Sequence, residues 1–226
     1  YDHGEGVGGN VIDLVCRILK CSIGEALAFL NDGVAKNKFR EQRIFKDNDT
    51  VLGIVKVQDI THPALIQYLG SRGIPINTAK TFCKEVWYQH KENRFFAIGL
   101  QNYQGGWELR NKLFKNSSSP KSYTYLQNNN KQLIILEGMF DLLSLATLDK
   151  IQIKASDIIV LNSIAFIKAI EPYLKAYESV LIYLDNDNAG RQSAKYLKDH
   201  HKHIMDQSHI YKNHNDLNDL LCHESG

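Results

Sequence analysis

The segment of this chain with the clearest chemical potential is LIYLDNDNAG, which runs from Leu181 to Gly190. Its apolar, strand-like start leads directly into Asp185 and Asp187, so two carboxylates one residue apart are expected at the end of a strand. Such a pair repels unless a cation neutralises it, and hard cations such as Mg²⁺ take oxygen ligands. The pattern predicts a metal site, although Asp and Asn are also favoured at helix N-caps and in turns.

Acidic residues follow three of the four strands that we predict in the last hundred residues. The remaining strand end, Asn162-Ser163, is uncharged. The carboxyl ends of parallel strands lie at one edge of a sheet, where open α/β sheets bind ligands. We therefore expect these acids to converge in one cluster. Its predicted members are Glu137, Asp141, Asp185, Asp187 and Asp216.

The elements that must position these acids begin at Lys131, where apolar strands start to alternate with helices. This alternation predicts an α/β fold, a parallel sheet with helices on both faces. The predicted strands are 132–137, 157–162, 179–185 and 208–211, and the predicted helices are 139–148, 164–174, 189–199 and 217–222.

The part of the chain before this sheet has a different pattern. Short helices at 63–69 and 77–82 and antiparallel strands at 86–89, 95–100 and 107–110 predict a smaller mixed α+β lobe. A short helical pair is predicted near the N-terminus, followed by a polar linker with a strand near 51–57. The predicted division of the chain is 1–32 (helical pair), 33–59 (linker), 60–126 (lobe) and 127–226 (α/β domain).

The charge is unevenly distributed, although the chain as a whole carries only +2. Residues 1–126 hold 17 Lys and Arg against 12 Asp and Glu, whereas residues 127–226 hold 10 against 13. A basic part beside an acidic part suits a metal-dependent enzyme that acts on a polyanion.

Composition also restricts the setting of the protein. No apolar run approaches the length of a membrane span, and no secretory signal is present at the start. The four cysteines are scattered without a Cys-x-x-Cys pair, so we expect reduced thiols and no zinc site within the chain. Together with the lack of a long apolar run, the reduced thiols predict a cytoplasmic protein without a membrane partner. Because the chain begins with Tyr1, we expect it to be a piece of a longer protein.

Three motifs resemble the signature motifs of the Toprim domain. They are EGMFD at 137–141, DNDNAG at 185–190 and DLND at 216–219, and the similarity covers about 131–223. The closest version is that of bacterial DnaG-type primases, because 68–74, 95–99 and 105–110 resemble the basic N-terminal lobe of the primase catalytic core. Residues 8–30 more loosely resemble the tail of the primase zinc-binding module. The whole resembles primase-like proteins of mobile elements in Bacteroides-type bacteria.

The chain departs from the primase pattern in two places. Two cysteine ligands of the zinc module would fall just before Gly8, where this chain has no cysteine, so that module is truncated, degenerate or lost. In the third motif Asn218 stands where an acidic residue is more usual, which predicts a weakened metal position. The sequence leaves both alternatives open for Asp219, which either compensates for this weakness or has no part in it.

The resemblance implies nucleotidyl transfer, the synthesis of a primer on a single-stranded DNA template from nucleoside triphosphates. Mg²⁺ or Mn²⁺ would lie on Asp185, Asp187 and Asp216, with Asp141 in support. Glu137 resembles the essential acid of the family, either as a general base or as a residue that positions a metal. Gly138 and Gly190 would let phosphates approach helix N-termini. A replicative helicase or a relaxase is the expected protein partner.

The basic lobe is expected to hold the template and the nucleotide. Residues 84–121 carry seven Lys and Arg against three Glu. Tyr103 and Trp107 either stack on bases or pack in the core. The basic residues expected at the nucleic acid are Arg110, Lys112, Lys115 and Lys121.

Two other functions remain open. The same metal cluster would support a Toprim nuclease, and a non-catalytic nucleic-acid-binding module of a mobile element would also fit. A type IA topoisomerase needs a catalytic tyrosine in a separate large domain, for which this chain has no room.

Overall fold

The computed structural model describes residues 52–224. All of them belong to one compact unit. The predicted helical pair in 1–32 and most of the predicted linker lie outside the described residues. No helix within 52–224 combines the length and the apolar character needed to cross a bilayer.

The N-terminal lobe, residues 53–117, is an antiparallel sheet carrying two helices. In the described chain its five strands follow the order β1-β2-β3-β4-β5. Helix α1 begins where Pro63 sets a helical φ angle and where His62 Nδ1 accepts a hydrogen bond from the Ala64 N–H. The elements are β1 (Gly53–Gln58), α1 (Pro63–Gly70), α2 (Ile76–Phe82), β2 (Lys84–His90), β3 (Asn93–Gln101), β4 (Trp107–Arg110) and β5 (Lys115–Ser117).

The C-terminal part, residues 124–224, is built around a second sheet in the order β10-β9-β7-β8-β6. Strands β7 to β10 are parallel, and β6 is an antiparallel edge strand on β8. The α/β class is confirmed. The elements are β6 (Thr124–Leu126), β7 (Gln132–Leu136), α3 (Met139–Leu148), α4 (Lys150–Lys154), β8 (Asp157–Val160), α5 (Ile167–Leu174), β9 (Ser179–Tyr183), α6 (Asn188–His200), β10 (Ile204–Asp206) and α7 (Leu217–Glu224).

Strand β7 shows why this sheet is covered on both faces. Ile134 and Leu136 point into one core, and Leu133 and Ile135 point into the other, as the two-residue period of a strand requires. Helices α3, α4 and α7 pack on the first face, and α5 and α6 pack on the second. The sheet is therefore the rigid layer that positions its strand ends.

The lobe and the C-terminal sheet share the first of these cores. Apolar residues of α1 and α2, among them Leu65 and Tyr68, belong to the same buried cluster as Phe140 of α3. The Tyr68 and Phe140 rings meet edge to face with centroids 5.5 Å apart. The lobe is thus packed directly against the helix that begins at the predicted cluster.

One predicted strand is wrong. Residues 208–211 form a 3₁₀ helix, and the edge strand of the sheet is β10, four residues earlier. The Asp206 carboxylate accepts a hydrogen bond from the Ser208 N–H at 3.0 Å, which turns the chain out of the strand. Tyr211 contributed to the strand-like pattern of this segment. It is buried, and its hydroxyl donates a hydrogen bond to the Leu184 carbonyl.

Several short elements were not predicted. Strands β5 and β6 are only three residues long, and α4 is five. Strand β1, in contrast, agrees with the strand predicted near 51–57, and it pairs with β2, Val57 opposite Val86. Of the two aromatic residues with alternative roles, Trp107 packs in the core over Gly99, whereas Tyr103 is 59% exposed and stacks on Tyr123.

Candidate metal centre

Three of the predicted acids meet at the carboxyl edge of the second sheet. Carboxylate oxygens of Asp141, Asp185 and Asp216 all lie within 4.8 Å of one another. Asp185 follows β9, and Asp141 and Asp216 lie at the starts of α3 and α7. Oxygen ligands at this spacing are suited to a hard divalent cation.

Helix starts fix the orientation of the acids. Asp141 accepts the Gly138 N–H through Oδ2 at 2.9 Å, and Asp216 accepts the Asp219 N–H through Oδ1 at 2.7 Å. One oxygen of each carboxylate is therefore held by the start of its own helix. Helix N-termini also carry partial positive charge, which favours anions at this edge.

Asp187 lies beside this cluster with its side chain committed in part to α6. Its Oδ1 accepts the Gly190 N–H at 2.8 Å as the N-cap of that helix. It is not one of the three acids that meet, although its charge raises the pKa of both Glu137 and Asp185. The helix-cap alternative for this residue is thus realised, and its role as a ligand stays a prediction.

Glu137 joins the ends of two strands. Its Oε2 accepts the Asp185 N–H at 3.1 Å, so a residue after β7 is tied to one after β9. Burial raises the pKa of Glu137, and the nearby charges of Asp187 and Asp216 act in the same direction. Glu137 is therefore held next to the three acids without being one of the group that meets.

The electrostatics of the cluster call for a cation. Burial, followed by repulsion from Glu137 and Asp216, raises the pKa of Asp185 to about 8. Burial and the charges of Asp216 and Asp185 raise the pKa of Asp141 well above its usual value. Burial raises the pKa of Asp216 as well. The residues therefore fit a divalent cation, which would remove the repulsion that the fold builds in.

We expect stabilisation by Mn²⁺ to increase as the pH rises from 5 to 8. The folded-state pKa of Asp185, about 8, lies well above the ordinary pKa of an aspartate, about 3.9. Ionising it in the metal-free fold therefore costs stability, which falls progressively as the pH rises from about 4 to about 8. Mn²⁺ binds the ionised carboxylates and reverses that loss. Thermal unfolding with millimolar Mn²⁺ or with a chelator measures it, and equal metal-induced shifts at pH 5 and pH 8 would contradict it.

Lys115 is the predicted basic residue whose charge acts on the cluster. It lies on β5 of the lobe, with part of its side chain exposed and its ammonium group partly desolvated. Repulsion from Arg110 and burial lower the pKa of Lys115, and attraction from Asp185 and Glu137 opposes them. Lys115 is thus a cation of the lobe placed beside the acids of the sheet.

Arg110 is not a surface residue. Its side chain is 8% exposed, and Nη1 donates to the carbonyls of Leu109 and Asn116 at 3.1 Å and lies 3.4 Å from a Glu108 carboxylate oxygen. Its guanidinium is largely enclosed in the lobe, close enough to Lys115 for its charge to lower the pKa of that lysine. Direct contact of Arg110 with nucleic acid stays a prediction.

The two other predicted lysines are exposed. Lys112 lies in the turn between β4 and β5, and Lys121 lies after β5. Burial raises the pKa of Glu108, and the charge of Lys121 is among those that oppose this rise. Their contact with nucleic acid stays a prediction.

The two predicted glycines have local structural roles. A Cβ on Gly138 would lie 3.2 Å from Asp141 Oδ2, so glycine leaves room for that carboxylate. A Cβ on Gly190 would lie 2.1 Å from the backbone oxygen of Asp185, closer than any packing allows. Glycine at 190 lets α6 start directly against the residue that carries the central acid.

The side chain of Asn218 is held by contacts with other elements, and the predicted weakening of a metal position there stays a prediction. Asn218 is 1% exposed, and its Nδ2 donates to the Arg72 carbonyl and to Ser144 Oγ, each at 2.9 Å. It therefore bridges three elements: the turn that holds Arg72, α3 and α7. The acid of this motif that joins the cluster is Asp216.

Two contributors to the site were missed. Asn215 Nδ2 donates to Asp185 Oδ2 at 3.4 Å, and its carbonyl accepts the Asn186 N–H at 2.6 Å. Arg72 contacts Asn218 across the lobe boundary. Asn215 adjoins a recognised motif and could have been found, whereas nothing local marks Arg72 as a neighbour of the cluster.

Comparison with known proteins separates the two parts of the chain. Residues 134–221 match a family described as Toprim-like. These residues form a Toprim-like domain. Residues 54–119 match a family described as a domain of unknown function, DUF8464. No match is found among curated proteins.

The fold of the lobe and the Toprim-like domain together is shared with a solved primase. The primase fragment of the bacteriophage T7 primase–helicase protein aligns at a TM-score of 0.50 and 18% identity, covering 75% of each chain. A T7 complex of lagging-strand DNA polymerase with primase domains bound to an RNA/DNA hybrid and dTTP aligns at 0.48 and 16%, covering 74% and 89%. The Aquifex aeolicus primase aligns at 0.44 and 19%, covering 86% of this chain and 62% of its own.

Proposed function

We propose that this protein is a primase-type nucleotidyltransferase, which synthesises primers on single-stranded DNA from nucleoside triphosphates. The observation that carries the proposal is the meeting of Asp141, Asp185 and Asp216 at the sheet edge, beside Lys115 of a basic lobe. The fold shared with a phage primase fragment supports it.

The proposed division of labour follows from the positions of the side chains. Asp141, Asp185 and Asp216 would hold Mg²⁺ or Mn²⁺, with Asp187 and Glu137 alongside. The bound metal supplies charge stabilisation for the triphosphate and for the attacking and leaving oxygens. Glu137, with its raised pKa, is suited to accept a proton from a primer 3′-hydroxyl or to hold the Asp185 backbone in place. Lys115 would bind phosphate oxygens.

The proposed partners follow the same reasoning. The template is single-stranded DNA, and a replicative helicase or a relaxase would bring it to the site. The phage protein that shares this fold is a primase–helicase, which supports a helicase as the first candidate.

Incubation with single-stranded DNA, labelled nucleoside triphosphates and Mg²⁺ or Mn²⁺ tests the proposal. We expect short labelled products that require both the template and the metal. Shortening of the DNA without incorporation would favour a Toprim nuclease. Template binding without either reaction would favour a non-catalytic module.

We expect Lys115→Ala to weaken nucleotide use more than it slows turnover. Removing a cation that faces the acids should raise the KM for nucleoside triphosphate about tenfold, because a phosphate contact partly exposed to solvent is worth roughly 1–2 kcal/mol. Steady-state incorporation over a range of nucleotide concentrations measures both constants.

Lys150→Ala is the matched control. Lys150 is exposed and follows the C-terminal end of α3, the end opposite the cluster, so its loss should leave both constants unchanged. A Lys115→Ala enzyme with wild-type KM would remove Lys115 from the proposed nucleotide site.

A further inference from the structure

Arg72 connects the lobe to the metal centre through a reciprocal contact. It lies in the turn between α1 and α2, and its Nε donates to Asn218 Oδ1 while its carbonyl accepts from Asn218 Nδ2 at 2.9 Å. Asn218 lies in the first turn of α7, two residues after Asp216. The turn of the lobe is therefore fastened to the start of the helix that carries one candidate ligand.

The same contact extends to the helix that carries a second ligand. Asn218 Nδ2 also donates to Ser144 Oγ of α3 at 2.9 Å, and Ser144 is fully buried. The Arg72 guanidinium lies 4.5 Å from the centroid of the Phe140 ring, within cation–π range. Phe140 directly precedes Asp141. Arg72 thus contacts Phe140, which is next to Asp141, and Asn218, which is two residues after Asp216.

The arrangement differs from an ordinary surface contact. Asn218 is 1% exposed and uses both ends of its amide, so its geometry is fully determined by its partners. Arg72 is only partly exposed, and no carboxylate among residues 52–224 lies within salt-bridge distance of it.

We propose that Arg72 is a positioning residue for the metal centre. By fastening the starts of α3 and α7 to one side chain, it sets the separation at which Asp141 and Asp216 reach the same cation. This inference rests on the proposed metal-dependent function. It assigns the lobe a second role, because the lobe would not only bind substrate but also hold the metal ligands in register.

Mn²⁺ affinity of the whole protein tests the inference, measured from the electron paramagnetic resonance signal of free Mn²⁺. Arg72→Lys keeps the positive charge but cannot reproduce the Nε contact. Since partners behind metal ligands typically change affinity 10–100-fold, we expect the dissociation constant to rise about tenfold. Arg94→Lys, at an exposed position of β3, is the matched control and should leave the Mn²⁺ affinity at the wild-type value.

Ser144→Ala supplies a second variant in case Arg72→Lys fails to fold. It removes one partner of Asn218 without altering any charge, and we expect a smaller rise, about threefold. Unchanged Mn²⁺ affinity in whichever variants fold would overturn the inference.

A double-mutant cycle separates positioning from general support of the fold. In an Asp216→Asn background the effect of Arg72→Lys on Mn²⁺ affinity should largely disappear, because the ligand through which it acts is gone. Equal effects in both backgrounds would overturn the inference. If the wild-type protein bound no Mn²⁺ at all, the proposed metal-dependent function itself would fail, a result distinct from either of these.

Discussion

Asp185→Asn is expected to abolish metal-dependent nucleotide incorporation and to stabilise the metal-free protein. Asp185 is the central acid, in reach of Asp141 and Asp216 and bonded through its N–H to Glu137. Loss of metal charge stabilisation worth several kcal/mol should reduce incorporation on the order of a thousandfold. Incorporation measured at saturating Mn²⁺ and nucleotide checks this.

The stability change should have the opposite sign. An amide carries no charge, so the cost of burying a charge and the repulsion, which together raise the pKa of Asp185 to about 8, both disappear. After allowance for solvent screening at this partly exposed position, we expect a gain of about 2 kcal/mol at pH 8 without metal. Asp199→Asn is the control for both measurements, because Asp199 is an exposed residue in the last turn of α6. A variant that kept full incorporation would show that the site is assigned wrongly.

Gly190→Ala is expected to destabilise the protein and to inactivate it together. The new Cβ would have to displace the Asp185 carbonyl, which lies 2.1 Å from its ideal position. Overpacking against backbone costs about 3 kcal/mol, more than the roughly 1 kcal/mol that alanine gains over glycine in a helix. Because the displaced residue carries the central acid, Mn²⁺ affinity should fall as well. Denaturant unfolding and Mn²⁺ titration measure the two effects.

Gly70→Ala is the matched control for that change. Gly70 ends α1, its φ angle is in the ordinary range, and a Cβ there would meet no atom within 4 Å. We expect it to be neutral or to stabilise by about 0.5 kcal/mol. If Gly190→Ala behaved in the same way, the close contact between α6 and the Asp185 backbone would not be a feature of the folded protein.

The acids were predictable because strand ends converge. Asp141, Asp185 and Asp216 follow apolar runs of a parallel sheet, and topology alone brings such positions to one edge. This reasoning survived an error in the last strand, since Asp216 reaches the edge through a loop and a 3₁₀ helix after β10. Where a residue also starts a helix, as Asp187 does, pattern cannot separate the cap from the ligand.

The contacts of the lobe were less predictable. A basic residue in a predicted strand is expected to lie on the surface. Arg110 is instead enclosed, because its guanidinium donates to the Asn116 carbonyl and pairs with the Glu108 carboxylate. Arg72 and Asn218 lie 146 residues apart in the chain, and neither has a periodic pattern that marks the other. Three-residue strands such as β5 and β6 are too short for an alternating pattern to be recognised.

The shared core has a consequence for cooperativity. Leu65 and Tyr68 of the lobe are buried in the same apolar cluster as Ile134 and Leu136 of the Toprim-like sheet. Swinging the lobe away would expose that cluster at about 25 cal/mol per Å², so the two parts are expected to unfold in a single transition. Neither part is then expected to fold when it is transferred alone to another protein. A gain in stability at the carboxylates should also protect β5, the strand that carries Lys115, against unfolding.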